Sequence, residues 1–190
     1  MQQTFKRTPI IKMLIGEIKE TTVDLPKKSD ADQYEPHIYL SPTGAEVSKV
    51  FTMGVLVDKE DISAEGDSMP FWRARITDRT GSVYIIAGQY QPEAAAAIAQ
   101  LDIPSFIVVV GKLNLYQPEE GGKLVSIRAE SVVPADIRVQ EIFYKDCIDT
   151  ITARIKSLIP EARTKLAQAY PNKKPEDLLD ALNIVTKPER

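Results

Sequence analysis

Residues 71–91, FWRARITDRTGSVYIIAGQYQ, constrain the fold more than any other part of this chain. Apolar and polar residues alternate with a period of two through Trp72, Ala74 and Ile76, and again through Val83, Ile85 and Ala87. That period marks strands with one face on a core. Between the runs stands Asp78-Arg79-Thr80-Gly81. Asp and Thr side chains bond their own backbone in turns, and glycine accepts positive φ. The stretch is therefore a predicted β-hairpin. Its core-facing set leaves Arg73, Arg75 and Tyr84 together on the other face. Two guanidinium groups beside a ring can hold a phosphate backbone and stack a base. The same alternation also belongs to any half-exposed sheet, and the hairpin by itself does not separate the two readings.

The neighbouring segments extend the sheet. Residues 47–58 (VSKVFTMGVLVD) are rich in β-branched residues and predict a strand, with Gly54 marking a bend. An acidic loop is expected over 59–69. Residues 92–100 (PEAAAAIAQ) predict a short helix, with Pro92 in the first turn and alanines after it. Residues 105–116 and 124–133 predict two long strands joined by the loop 117–123, with Gly111 at a second bend. Five strands with a helix between the third and fourth is the layout of an oligonucleotide/oligosaccharide-binding (OB) barrel. The expected fold is thus mainly β, with the barrel occupying residues 37–136.

Both flanks read as helical. In residues 1–36, Pro9 precedes Ile10, Ile11, Leu14, Ile15 and Ile18 at helical spacing, and a polar linker follows over 24–36. After residue 136 the period changes. Tyr144, Ile148, Ile151, Ile155 and Leu158 form a heptad seam on a helix expected over 137–159, with Lys145, Asp149, Arg154 and Lys156 on its exposed faces. Such a helix either folds back on its own barrel or meets a partner helix. A closed barrel has little need of a capping helix, so the seam is assigned to a partner. Two shorter helical pieces are expected in the tail, 160–190.

Composition limits the chemistry. One cysteine (Cys147) and one histidine (His37) exclude a cysteine or histidine metal cluster and an intrachain disulfide. No phosphate-binding loop, dinucleotide fingerprint or nucleophile elbow is present. No catalytic residue, metal or cofactor is expected. The N-terminus lacks the pattern of a signal peptide, and a cytoplasmic, nucleoid-associated setting is expected. Residues 47–136 carry eight basic and twelve acidic residues, a net charge of −4. Phosphate neutralisation dominates nucleic-acid affinity, so a barrel with this balance would bind weakly alone.

From about residue 39 to 158 the chain also resembles the archaeal replication protein A-associated proteins, related to the eukaryotic middle subunit. The blocks that carry this are YLSPTGAEVSKVFTMGVL, FWRARITDRTG, AGQYQPEAAAAIAQL, VVVGKLNLYQ, LVSIRAESVV and DTITARIKSL. The resemblance implies a non-catalytic subunit of a single-stranded-DNA-binding complex acting in replication, repair and recombination. It implies a larger partner subunit reached through the C-terminal helix. Two base-stacking positions of the related subunit fall on Gly88, where the ring is missing, and on Tyr116, where one is kept. The expected nucleic-acid contacts are Arg73, Arg75, Tyr84, Lys112, Tyr116, Lys123 and Arg128. The expected partner contacts are Tyr144, Ile148, Ile151, Ile155 and Leu158. The competing readings are a scaffold whose barrel binds only protein and a barrel that binds RNA or oligosaccharide.

Overall fold

One long strand closes the molecule. In the computed structural model, which describes residues 9–26, 36–66, 69–119 and 121–186 with side chains to residue 182, the elements follow in chain order. They are β1 (Ile10–Lys12), α1 (Ile15–Glu20), β2 (Val23–Asp24), β3 (Tyr39–Leu40), β4 (Glu46–Val47), β5 (Lys49–Asp61), β6 (Trp72–Asp78), β7 (Gly81–Ala87), α2 (Pro92–Gln100), β8 (Ser105–Tyr116), β9 (Leu124–Pro134), α3 (Gln140–Ser157), α4 (Pro160–Ala169) and α5 (Pro175–Thr186). A 3-10 turn, Ile137–Val139, leads into α3. Strand β5 pairs with β8 along residues 49–56 and with β6 along residues 55–61. The strands β5, β6, β7, β9 and β8 thereby form a closed five-stranded barrel, with α2 between β7 and β8, its third and fourth strands in chain order. This is the expected OB fold.

Gly54 lies where β5 passes from one neighbour to the other. A Cβ there would stand 2.7 Å from the Thr77 carbonyl oxygen, so only glycine lets β6 approach. A bulge follows between Leu56 and Asp58. The strand also runs further than the sequence indicates, to Asp61, so Lys59 lies in β5 and not in an acidic loop. Its Nζ donates to the carbonyls of Ile98, Ala99 and Leu101 at 3.1, 2.8 and 2.6 Å. Helix α2 has no basic residue in its last turn, and Lys59 supplies the cation that its C-terminus favours.

Val50, Leu56, Ala74, Ile76, Ile85, Ile107, Val109 and Ile127 fill the barrel. Helix α2 covers one end with Ala94, Ala95 and Ile98, and α1 covers the other with Ile15 and Ile18. The N-cap residue of α1, Leu14, has no side-chain cap. The hairpin turn serves instead: Asp78 Oδ2 accepts from Ile15 N at 3.1 Å, and Thr80 Oγ1 accepts from Gly16 N at 2.7 Å. Asp78 Oδ1 also accepts from Thr80 N, Thr80 Oγ1 and Gly81 N. Burial pushes the Asp78 carboxyl above its ordinary value, and these donors pull it back.

The N-terminal helix is shorter than its spacing predicts. Residues 10–12 pair in parallel with β5 as a strand, and the helix begins only at Ile15. Backbone groups of residues 10–12 find partners on the edge of β5, which overrides the local helical period. The polar linker expected over 24–36 falls largely outside the described residues. No helix among the described residues is long and apolar enough to cross a membrane.

The heptad seam is turned inward, contrary to its assignment to a partner. Tyr144, Ile151 and Ile155 are buried and Ile148 is half-buried, in a cluster with Leu14, Phe51, Met53, Leu178, Leu179 and Leu182. Phe51 and Met53 lie on the outer face of β5, and the Phe51 and Phe143 rings stand 5.8 Å apart. Leu158 packs over the β3–β4 turn, where a Cβ on Gly44 would stand 2.8 Å from its Cδ2. Arg154 is likewise not on an exposed face. Its side chain is 16% exposed and pairs with fully buried Glu17 at 2.8 Å. Thr43 and Ser41 also bond Glu17 Oε1, while Oε2 has no donor among the described residues. The tail docks too: Tyr170 OH donates to Leu40 O at 2.5 Å and accepts from Thr22 N at 3.2 Å.

Two outcomes follow from this packing. Arg154→Ala leaves a buried, under-bonded carboxylate and should cost about 3 kcal/mol in urea unfolding. The double change Glu17→Gln with Arg154→Met should recover part of it. Burial pushes the Cys147 thiol up to about 12. The native chain at pH 8 should therefore react slowly with a thiol reagent and fully once urea unfolds it. Rapid native labelling would show that α3 does not lie on the barrel.

Candidate nucleic-acid interface

The strand registers place the expected site residues on one outward face. Arg73 on β6 pairs with Ile86 on β7, Ile86 with Arg128 on β9, and Arg128 with Lys112 on β8. Two residues along, Arg75 pairs with Tyr84, Tyr84 with Ser126, and Ser126 with Asn114. A further pair, Leu124 with Tyr116, follows on β9 and β8. Side chains two apart on a strand share a face, so these rows form one surface. Tyr84 is 46% exposed, with the Arg73 guanidinium over its ring, and Tyr116 is 60% exposed. Lys123 stands apart in the loop after Tyr116.

The cations of this face are not equally available. Arg73 forms an ion pair with Glu60, its neighbour on β5, and its guanidinium lies 5.5 Å from the Tyr84 ring centroid. Lys112 has Glu130 Oε1 at 3.8 Å, and Glu130 also pairs with Lys49. Lys123 Nζ donates to Thr22 O at 3.0 Å. Arg75 and Arg128 make no ion pair among the described residues, although Asp58 sits beside Arg75 in the register. Acidic side chains of β5 thus border the arginines of β6. Among the described residues, no group of three or more His, Cys, Asp or Glu is placed to hold a metal ion.

Gly88 has a different role from the one its missing ring implies. The pairing of Trp72 with Ala87 carries Phe71 to the side of Gly88. A Cβ at Gly88 would stand 2.3 Å from Phe71 Cδ2, so the Phe71 ring occupies the space of a side chain there. Phe71 is held in place from its backbone. Its N–H donates to Ser63 Oγ at 2.8 Å, and its carbonyl accepts from Ile62 N at 2.8 Å. Ser63 in turn donates to Asp61, holding that carboxyl below its usual value. Beside Phe71 a pocket of about 300 Å³ opens, lined also by Ile86, Gly88, Gln89, Tyr90, Gln91 and Arg128. Phe71 precedes its strand and breaks no pattern, so only the strand register brings it to Gly88.

No protein-family model matches the sequence, and no curated protein matches it. The fold does have likenesses. The chain is similar to a chain of a replication protein A heterotrimer solved with single-stranded DNA, at a TM-score of 0.52 and 14% identity, over 77% of this chain and 98% of that one. It is also similar to a chain of the S. pombe Stn1–Ten1 complex, at a TM-score of 0.53 and 12% identity, over 63% and 81%. At these identities the likeness is one of fold.

Proposed function

We propose that this chain is a non-catalytic OB-fold subunit of a single-stranded-DNA-binding complex similar to replication protein A, in the position of its middle subunit. The observation that carries the reading is the register that sets Arg75, Tyr84 and Arg128 in adjoining rows of one exposed face, with Tyr116 beyond them. The fold shared with the replication protein A chain supports it. Arg75 and Arg128 neutralise phosphates, and Tyr84 and Tyr116 each stack a base, worth about 1–3 kcal/mol. The barrel's acidic balance and the carboxylates beside Arg73 and Arg75 keep this affinity low. A larger subunit holding further barrels raises the local DNA concentration, and linkage supplies what contact alone does not. Protection of exposed strands in replication, repair and recombination follows from that role.

The C-terminal helix remains the proposed route to the partner, with a condition. Its seam already carries α5, through Leu178, Leu179 and Leu182. A partner helix reaches it only where α5 gives way. The ion pairs of the tail, Arg163 with Glu176 and Lys173 with Glu20, are exposed and contribute little, so its hold rests on the Tyr170 hydrogen bonds and the apolar contacts of α5.

The test is titration of a fluorescent oligo-dT of about 30 nucleotides across a salt series. Arg75→Ala with Arg128→Ala should weaken binding and make the dependence of log K on log salt shallower by about two. Unchanged binding by the assembled complex would favour the protein-only scaffold. Glu60→Gln releases Arg73 from its ion pair and should strengthen binding at low salt. Removing residues 160–186 should improve capture of the large subunit if α5 covers its site.

A further inference from the structure

We propose that the pocket between Phe71 and the 88–91 turn takes one unstacked nucleobase and reads its edge with the side-chain amides of Gln89 and Gln91. This rests on the single-stranded-DNA reading above and adds to it a base-specific site. The outward face by itself offers only sequence-tolerant contacts, cations for phosphates and rings for stacking. The pocket differs in kind. About 300 Å³ is at the small end of ligand-sized cavities and suits a single ring system.

Its parts match that occupant. Phe71 is 39% exposed, its backbone is bonded to Ile62 and Ser63, and its ring lies against Gly88. Tyr90, 81% exposed, stands on the turn opposite, a second ring with nothing covering it. The turn itself is closed by Gln91 N donating to Gly88 O at 2.8 Å, so Gln89 and Gln91 flank Tyr90 on a defined backbone. Both line the cavity, and neither amide makes a hydrogen bond among the described residues. Gln91 is half-buried and is the N-cap residue of α2, yet its side chain does not cap the helix. An amide presents a donor and an acceptor together, which is what pairing with a base edge requires. Arg128, also in the lining, supplies a cation for the attached phosphate. Gly88 is the condition for all of this, because any side chain there displaces the Phe71 ring.

The experiment uses the full chain and fluorescent 12-nucleotide dA, dC and dT homopolymers, read by anisotropy at two salt concentrations. The wild type should discriminate among the homopolymers. Phe71→Ala should weaken binding about tenfold with an unchanged salt slope, as loss of one stacked base does. Phe71→Tyr should keep most of it, and Gly88→Val should copy the alanine variant. Gln89→Ala with Gln91→Ala should flatten the differences among homopolymers. Thermal unfolding of each variant separates loss of the site from loss of the fold. If Phe71→Ala binds as tightly as wild type while Arg75→Ala with Arg128→Ala still weakens binding, the pocket is empty in the complex and this proposal falls alone. Equal affinity of the wild type for all homopolymers overturns the edge reading. Absence of single-stranded-DNA binding by the chain at both salts, and by its complex with a larger subunit, overturns both readings together.

Discussion

Everything in this structure follows from β5 pairing on both sides. A strand that bonds to β6 at one end and β8 at the other closes the sheet, and β1 takes the edge of β5 that closure leaves at residues 49–51. Closure needs a bend, and Gly54 provides it where the strand changes neighbours. A closed barrel then has two open ends, and its apolar filling must be kept from water at both. Helices α1 and α2 do that, each held by a group from elsewhere: the hairpin turn caps the start of α1, and Lys59 caps the end of α2.

The same strand decides where the C-terminal helix goes. Val50, Leu56 and their neighbours face inward, while Phe51 and Met53 face outward. An outward phenylalanine and methionine on a barrel strand need a cover, and the apolar stripe of α3 supplies it. The buried pair of Glu17 and Arg154 fixes how the cover sits. Two charges taken out of water are tolerated only when each meets the other in good geometry. That joins α1, the β3–β4 turn and α3 at one point. Nearer the start of α3, burial pushes the Tyr144 hydroxyl up to about 12, a neutral phenol accepting from Arg79 N.

The cations and rings collect on the outward faces of β6, β7, β9 and β8. The electrostatics there are mixed by construction. Strand β5, the neighbour of β6, brings Asp58 and Glu60 beside the arginines of β6 in the same register. Basic groups on this face are therefore partly spent within the chain.

Much of this was legible in the amino-acid sequence. The hairpin, the turn at residues 78–81, the helix after Pro92, the bends at Gly54 and Gly111 and the shared face of Arg73, Arg75 and Tyr84 all rest on local rules. Period-two alternation, turn chemistry and glycine act over a few residues and can be read within them. The signal for the covering helix was present as well: residues 50–57 are apolar on both faces, which marks a strand packed on two sides. Which helix covers it was not written locally. A heptad stripe is satisfied equally by a partner or by its own barrel, and only the placement of Phe51, Met53 and Glu17 shows that in the chain alone it lies on the barrel. Likewise, the sequence shows a glycine at 88 and a phenylalanine at 71. Only the register of β6 against β7 sets that ring over that glycine, because contacts between residues far apart in the chain are decided by tertiary structure.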